Sequence, residues 1–274
     1  MSPPFGRDAG DPLPPTPGTL YLVPSTLDLG IPAAATPLDD VLPALTIRTA
    51  ARLTHWVVEN AKSARAFLRR VGEVCPLAAP LRAQHMQTLA APAKGSRPAF
   101  AAADRRGTLA PLLEPLRRGH DVGLLSEAGM PAVADPGTEL VAAAHDEGFA
   151  VQALVGPSAL LLALAAAGLN GQSFAFVGYL PVAAPARAAR IRELEALSRR
   201  TAQTQLFIET PYRNAQLLDT LLTTLAGSTR LAIAHGLTTP LGWSRTHTVA
   251  HWQRHRPSLH ADVPAVFSLL AAQG

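Results

Sequence analysis

The sequence predicts an α/β fold with largely parallel sheets. Two observations carry this. Short apolar runs of strand character alternate with helical stretches along almost the whole chain, the pattern of strand–helix–strand units. Several of these runs also end alike, in a turn rich in glycine and proline that leads straight into a helix. Junctions of that kind put ligands at the carboxyl ends of the strands.

Residues 1–17 hold six prolines and few large apolar side chains, so they read as a disordered tail. Tyr21-Leu22-Val23 is a short buried strand closed by Pro24. The stretch "LDDVLPALTIRTAARL" from Leu38 is helical, "HWVVEN" is a strand, and "AKSARAFLRRV" is a helix with its arginines on one side. Pro92, Gly95 and Pro98 mark a loop over residues 90–99. "AAADRRGTLAPLLEPLRRG" is helical despite Pro111 and Pro115, and "DVGLLSEAG" is a strand. In "DPGTELVAAAHDEGF" Asp135 is expected to cap a helix, with Pro136 at its first position. "AVQALVG" is a strand, and "PSALLLALAAAGL" is a helix expected to be buried nearly all round. Then come "SFAFVGYL" (strand), "ARAARIRELEALSRRT" (helix), "TQLFIET" (strand) and "PYRNAQLLDTLLTTLA" (helix). The strands "TRLAIAHGL" and "PAVFSLL" close the pattern. There is no internal repeat.

Composition narrows the function classes. No apolar run approaches the roughly 18 residues of a membrane span, and the N-terminus lacks a basic segment followed by an apolar one. The lone Cys75 excludes an internal disulfide and suits a reducing cytoplasm; it reads as an ordinary packed residue. A net charge of +4 permits an anionic partner without demanding one. With aromatics at 5%, a base-stacking platform for single strands is poorly supplied.

Chemistry concentrates at three junctions. In "GLLSEAGMPAVADPG" a strand delivers Glu127 to a sheet edge, Ala128-Gly129 leave the backbone bare, and Pro131 and Pro136 stiffen the path. Neither G-x-x-x-x-G-K-[ST] nor G-x-G-x-x-G occurs, so the turn is not a phosphate cradle; an acid at its mouth suits hydroxyls, amines and cations. In "LVGPSALLLALAAAGL" Ser158 stands where it can cap the following helix. In "FIETPYR" a strand presents Glu209 and Thr210, with Arg213 one turn further on.

Together, "GLLSEAGMPAVADPG", "VGPSALLLALAAAGL", "FAFVGYLP" and "FIETPYR" resemble the tetrapyrrole methylase family. Within it they are most similar to the branch that methylates ribose 2′-oxygens of small-subunit ribosomal RNA, which reads SDAGTP…SDPG, PGPSA, F…GFLP and YEAPHR at these places. The resemblance runs from about Gly18 into the final strand. It implies an S-adenosylmethionine-dependent methyltransferase, usually a homodimer, built as two α/β domains with mostly parallel sheets and a cofactor cleft between them. Residues 18–155 and 156–274 would be those domains. It also implies cofactor contacts at Pro24, Glu127, Ala128, Gly129, Met130, Pro131, Ser158, Ala159, Glu209 and Thr210. No metal is implied.

The chain departs from the branch at named places. ATPIGN is replaced by "PSTLDLG", and AEDTRHT by "VENAKSA", which keeps Glu59 and puts Lys62 where the arginine stands. RELTK gives way to "AHGLTTP", and no strand is evident after it. Glu59 is the candidate base for a hydroxyl acceptor; Lys62, Arg65 and Arg213 are candidate holders of an anionic one. Arg187, Arg190 and Arg199 could meet RNA phosphates. His247, His251 and His255 recur at the spacing of ligands on a helix, but arginines are interleaved and no carboxylate or cysteine joins them. Three readings stay open: an RNA methyltransferase, a methyltransferase for a tetrapyrrole or other small molecule, and a non-catalytic binder of the same cofactor.

Overall fold

The computed structural model describes residues 16–28, 36–89 and 106–273. The tail expected over 1–17 lies outside them but for its last two residues, and the loop expected over 90–99 lies outside them entirely. Strands β1 (Thr19–Val23), β2 (His55–Val58), β3 (His85–Thr88), β4 (Val122–Leu125) and β5 (Ala150–Ala153) form one sheet in the order β3-β2-β4-β1-β5. Every pair in it is parallel. Its interior strands read as near-continuous apolar runs because helices cover both faces. On one face α1 (Ala44–Arg52) and α2 (Ala61–Val74) bury Ala50, Phe67 and Leu68 against Val23, Trp56 and Leu125. On the other, α3 (Arg106–Arg117) and α4 (Thr138–Asp146) bury Leu113, Leu116 and Leu140 against Leu20, Val57 and Leu124.

The second sheet contains β6 (Phe174–Tyr179), β7 (Thr204–Ile208), β8 (Arg230–His235), β9 (Trp243–Thr248) and β10 (Ala265–Leu270), ordered β6-β7-β10-β8-β9. Helix α5 (Ala159–Ala167) packs Ala163 and Leu164 on one face, against Leu206, Ala234 and Val266. Helices α6 (Ala184–Thr201), α7 (Asn214–Thr224) and α8 (Val249–Arg254) bring Ile191, Leu217 and Trp252 to the other, around Phe207, Ile233 and Phe267. The expectation of mostly parallel pairing holds for the first sheet. In the second, β6 and β7 are parallel, while β10 runs antiparallel to both β7 and β8, and β9 antiparallel to β8. The turn over residues 236–242 is too short for a crossover, so β8 and β9 can only pair as a hairpin.

Several local expectations are corrected. Pro43 separates a short 3₁₀ turn, Leu38–Asp40, from α1. Helix α4 starts at Thr138 with Gly137 at its cap in a left-handed conformation (φ 124°), so Asp135 and Pro136 belong to the turn before it. Helix α5 is not buried all round, since Leu161 is 57% exposed. Strand β9, rich in polar residues, was not foreseen; it carries His247, while His251 lies in α8, so the histidines do not share one helix. Among the described residues no His, Cys, Asp and Glu group could hold a metal ion. Arg187 is buried and donates to Thr220 Oγ1 (3.2 Å) and the Val182 carbonyl (3.1 Å), which removes it from any phosphate-binding surface.

Helix α3 accommodates both its prolines. Pro115 has no N–H to offer the carbonyl of Pro111 four residues earlier. The Gln87 side-chain amide donates to that carbonyl instead (3.3 Å), so the helix end costs little.

Gly123 in β4 sets how closely the layers approach. A Cβ there would lie 2.5 Å from the Trp56 ring, whose indole N–H donates to Gln84 Oε1 at 2.9 Å. Gly123→Val should therefore overpack the site and lower stability by about 1–3 kcal/mol. A urea midpoint equal to the parent's would show that the indole has room to move.

Candidate cofactor cleft

Three loops stack at the carboxyl edge of the first sheet. Ser25, just after β1, donates its N–H to the Gly129 carbonyl (2.9 Å), and Gly129 returns its own to the Ser25 carbonyl (3.2 Å). Gly129 is left-handed at φ 71°, and a Cβ there would sit 3.1 Å from the Leu27 side chain and 3.3 Å from the Pro157 carbonyl. Pro24 is buried against Gly156, where a Cβ would come within 2.2 Å of its ring. The Ser126 hydroxyl donates to the Gly129 carbonyl (3.2 Å). The loops after β1, β4 and β5 thus form one backbone-lined ledge.

Carboxylates gather on it. Glu59, after β2, accepts the Glu127 N–H on Oε1 (3.2 Å). Glu127 Oε1 accepts from the Ser63 hydroxyl at 2.5 Å. Ser63 is held in the first turn of α2, which Asn60 caps by accepting the Lys62 N–H (2.8 Å). Asn60, Ser63 and Glu127 border a cavity of about 20 Å³ that also touches Ser25, Phe67 and Ser126. Asp135 joins from the turn before α4. That turn is conformationally unusual, with left-handed Ala132 (φ 63°), Ala134 (φ 64°) and Gly137 (φ 124°).

Burial, and then the Glu59 and Glu127 charges, push the Asp135 carboxyl up to about 7, with the nearby Ser126 hydroxyl opposing. Glu59 is raised for the same reasons, burial first and then the Glu127 charge, with the Glu127 N–H working the other way.

The second sheet contributes from the ends of β6 and β7. Glu209 is buried, and its Oε1 accepts from the Thr210 N–H (2.7 Å), the Thr210 hydroxyl (3.2 Å) and Arg213 Nη2 (2.8 Å). Tyr179 links the halves. Its phenol is pushed above the ordinary range by burial, then by the Asp135 and Glu209 charges, with Arg213 opposing. The turn that carries Asp135 and the strand end that carries Glu209 therefore both lie near Tyr179. Thr36 and Thr46 tie the flank of the cleft by donating to the carbonyls of Thr238 (2.8 Å) and Val155 (2.7 Å).

Of the residues expected at the site, the structure joins Pro24, Glu59, Glu127 and Gly129 on the first half and Glu209, Thr210 and Arg213 on the second. Ala128, Met130 and Pro131 continue the ledge; Ser158 opens α5 without a side-chain capping bond, and Ala159 packs toward the second sheet's core. Lys62 and Arg65 are exposed on α2 beside the carboxylates. Asp135 was missed because an aspartate before proline ahead of a helix reads as a cap. Left-handed alanines leave no mark in a sequence.

With this geometry in place, comparison with known proteins is decisive. Residues 46–248 match the profile of the Tetrapyrrole (Corrin/Porphyrin) Methylases. The chain belongs to that family. It is 39% identical over 153 residues to the ribosomal RNA small subunit methyltransferase I of Mesorhizobium japonicum, a match covering 56% of this chain and 50% of the relative. A protein of the same name from Xylella fastidiosa is 34% identical over 223 residues, covering 80% of this chain and 67% of the relative. The one from Vibrio cholerae is 37% identical over 127 residues, or 46% and 43%. In most of these matches the chain spans about half the relative's length or less. The fold is that of the crystallised methyltransferase CobJ (TM-score 0.52, 18% identity, 93% of both chains). It is also that of the cobalt precorrin-4 methyltransferase CbiF (TM-score 0.52, 12% identity, 92% and 94%).

The raised Asp135 carboxyl makes stability depend on pH. Its advantage to the folded state is complete below the unfolded value near 3.8 and is lost as pH climbs through about 7. Asp135→Asn removes the charged form that the fold disfavours. It should raise stability at pH 8 by about 1 kcal/mol, allowing for partial solvent screening, and change little at pH 4. Urea midpoints at the two pH values check this; an equal effect at both would show that the carboxyl ionises freely.

Proposed function

We propose that this chain is an S-adenosylmethionine-dependent methyltransferase acting on a ribose 2′-hydroxyl of small-subunit ribosomal RNA. The observation that carries the reading is the glycine-lined ledge at Gly129 with carboxylates at its mouth and no phosphate cradle. That donor set fits a ligand with a sulfonium cation, a ribose diol and an adenine. When bound, the cofactor supplies an activated methyl group. In this reading Pro24, Glu127, Ala128, Gly129, Met130, Pro131, Ser158, Ala159, Glu209 and Thr210 enclose it. The protein's work is alignment and exclusion of water. Glu59 holds the ledge through the Glu127 N–H, and Lys62 and Arg65 offer charge to acceptor phosphates. Arg213 offers less, being already paired with Glu209. The names of the relatives support RNA as the acceptor.

The same reading divides the chain into domains at 155/156. It takes the chain to be a cytoplasmic homodimer. No helix among the described residues is long and apolar enough to cross a membrane.

The test is transfer of tritiated methyl from S-adenosylmethionine into a fractionated extract. Label is expected in small-subunit ribosomal RNA. Label in a porphyrinoid fraction would replace RNA as acceptor, and tight cofactor binding with no label anywhere would mean a binding protein.

Gly129→Val should abolish cofactor binding while the chain stays folded. The new side chain is strained at φ 71° and competes for space on the ledge. Calorimetry with S-adenosylmethionine is the check; parental affinity in the variant would reduce the ledge to an ordinary turn.

A further inference from the structure

We propose that Tyr212, with Tyr179 at the neighbouring strand end, is the surface on which an unpaired base of the acceptor RNA stacks. This rests on the ribosomal RNA reading above and names the side chains that would position that acceptor.

Among the described residues three phenylalanine, tyrosine or tryptophan residues are exposed, and two of them stand at the carboxyl ends of β6 and β7. Tyr212 is 71% exposed and lies in the 3₁₀ turn Pro211–Arg213, just past the end of β7. Tyr179 is 58% exposed and ends β6, which pairs with β7 in parallel. Aromatic side chains are scarce in this chain, yet two of them are spent on the second sheet's contribution to the cleft.

The Tyr212 ring is held ready. Arg213 carries its guanidinium carbon 5.6 Å from the ring centroid. That guanidinium is itself fixed, donating from Nη2 to Glu209 Oε1 (2.8 Å) and from Nε to Thr210 Oγ1 (3.1 Å), and Glu209 is buried. The cation backs one face of the ring, and the exposure leaves the other face to a ligand. A ring fixed before binding gives up little rotamer freedom when a base settles on it.

Tyr179 is aimed by a bulge. Phe176 pairs with Leu206 and Tyr179 with Ile208, so three steps along β6 answer two along β7. Regular pleating would bring Gly178 opposite Ile208. Gly178 is instead left-handed at φ 75°, and the extra residue hands that place to Tyr179. The Arg213 charge reaches Tyr179 as well, so both rings belong to one corner of the cleft.

The acceptor needs such a surface. A ribose hydroxyl entering a cleft brings its nucleotide out of the run of stacked neighbours, and the freed base is met by aromatic rings and guanidinium planes. Stacking tolerates any base and adds no charge, which suits a corner where Glu209 and Arg213 already balance. Phosphate contacts fall to Lys62 and Arg65 on α2.

The experiment is methyl transfer from S-adenosylmethionine to small ribosomal subunits assembled from unmodified transcript, with Tyr212→Ala, Tyr212→Leu, Tyr212→Phe and Tyr179→Ala beside the parent. Tyr212→Ala should lower kcat/KM by about 5- to 150-fold, the loss of one stacked base. Tyr212→Leu, which keeps apolar area without a ring face, should fall nearly as far. Tyr212→Phe should stay close to the parent, and Tyr179→Ala should lose about 5-fold or more. Subunit binding over a salt series should keep its slope in every tyrosine variant, since a stacked base releases no counterions; a lost phosphate contact flattens the slope by about 0.7–0.9. Calorimetric affinity for S-adenosylmethionine and mass in solution by light scattering should match the parent.

Parental kcat/KM in Tyr212→Ala, Tyr212→Leu or Tyr179→Ala overturns the proposal. So does a phenylalanine variant as poor as alanine, which would assign the work to the phenol hydroxyl. A flattened salt slope would make the lost contact one to phosphate, weakened cofactor binding would make Tyr212 a cofactor contact, and an altered mass would make the corner a subunit interface; each overturns the stack. A parent that labels no RNA removes the RNA reading itself, a failure distinct from a parent that methylates RNA with either tyrosine dispensable.

Discussion

Two hydrogen bonds between the backbones of Ser25 and Gly129 join the loop after β1 to the loop after β4. They form only because residue 129 can adopt φ 71°, and because the Ser126 hydroxyl takes up the same carbonyl from within the turn. Once the loops are joined, Glu127 comes within reach of Ser63 at the start of α2, and its N–H meets Glu59 at the end of β2. The parallel sheet makes this possible. With every strand running the same way, the ends of β1, β2, β4 and β5 lie along one edge, so residues far apart in sequence need only short loops to meet.

That arrangement has an electrostatic consequence. Glu59, Glu127 and Asp135 crowd together, and burial with mutual repulsion raises the carboxyls of Glu59 and Asp135. Backbone N–H and hydroxyl groups compensate, since no basic side chain acts on either acid; Lys62 and Arg65 stay out on the surface of α2. A fold selected for stability alone would place an arginine there, as it does at Asp28, which pairs with Arg70 at 3.0 Å. Uncompensated acid beside a strained turn is the usual sign of a site that gives up stability for chemistry.

Much of this was legible in the sequence. The apolar runs "LYLV", "WVV" and "VGLL" announce buried parallel strands, and the glycine–proline turns after them announce where a ligand goes. Illegible parts share a cause: the decisive information lies in another segment. β3 and β9 are largely polar, and become strands only because a neighbour offers a ladder. Arg187 looks like its exposed neighbours on α6 until Thr220 and the Val182 carbonyl meet it in the interior. Asp135 reads as a cap because its neighbours across the cleft, Tyr179 above all, are remote in sequence.

The two halves contribute unequally. The first supplies the ledge and three carboxylates from several strand ends. In the second, β10 is antiparallel to both β7 and β8, so β6, β7 and β8 run the same way and their carboxyl ends share one edge, where the pair β6–β7 carries Tyr179 and Glu209. What that pair brings is already balanced: Glu209 is neutralised by Arg213, which leaves Tyr179 as the group that senses Asp135. A surface of that kind adds shape and a phenol rather than net charge. The departures of this chain from the ribosomal RNA branch fall partly on this half, where "AHGLTTP" stands for RELTK in the hairpin between β8 and β9, and Thr238 of that turn is left-handed at φ 63° while its carbonyl receives Thr36 from the first half. The turn thus helps to close the flank of the cleft, so a change there alters the space between the halves without touching the acids on the ledge.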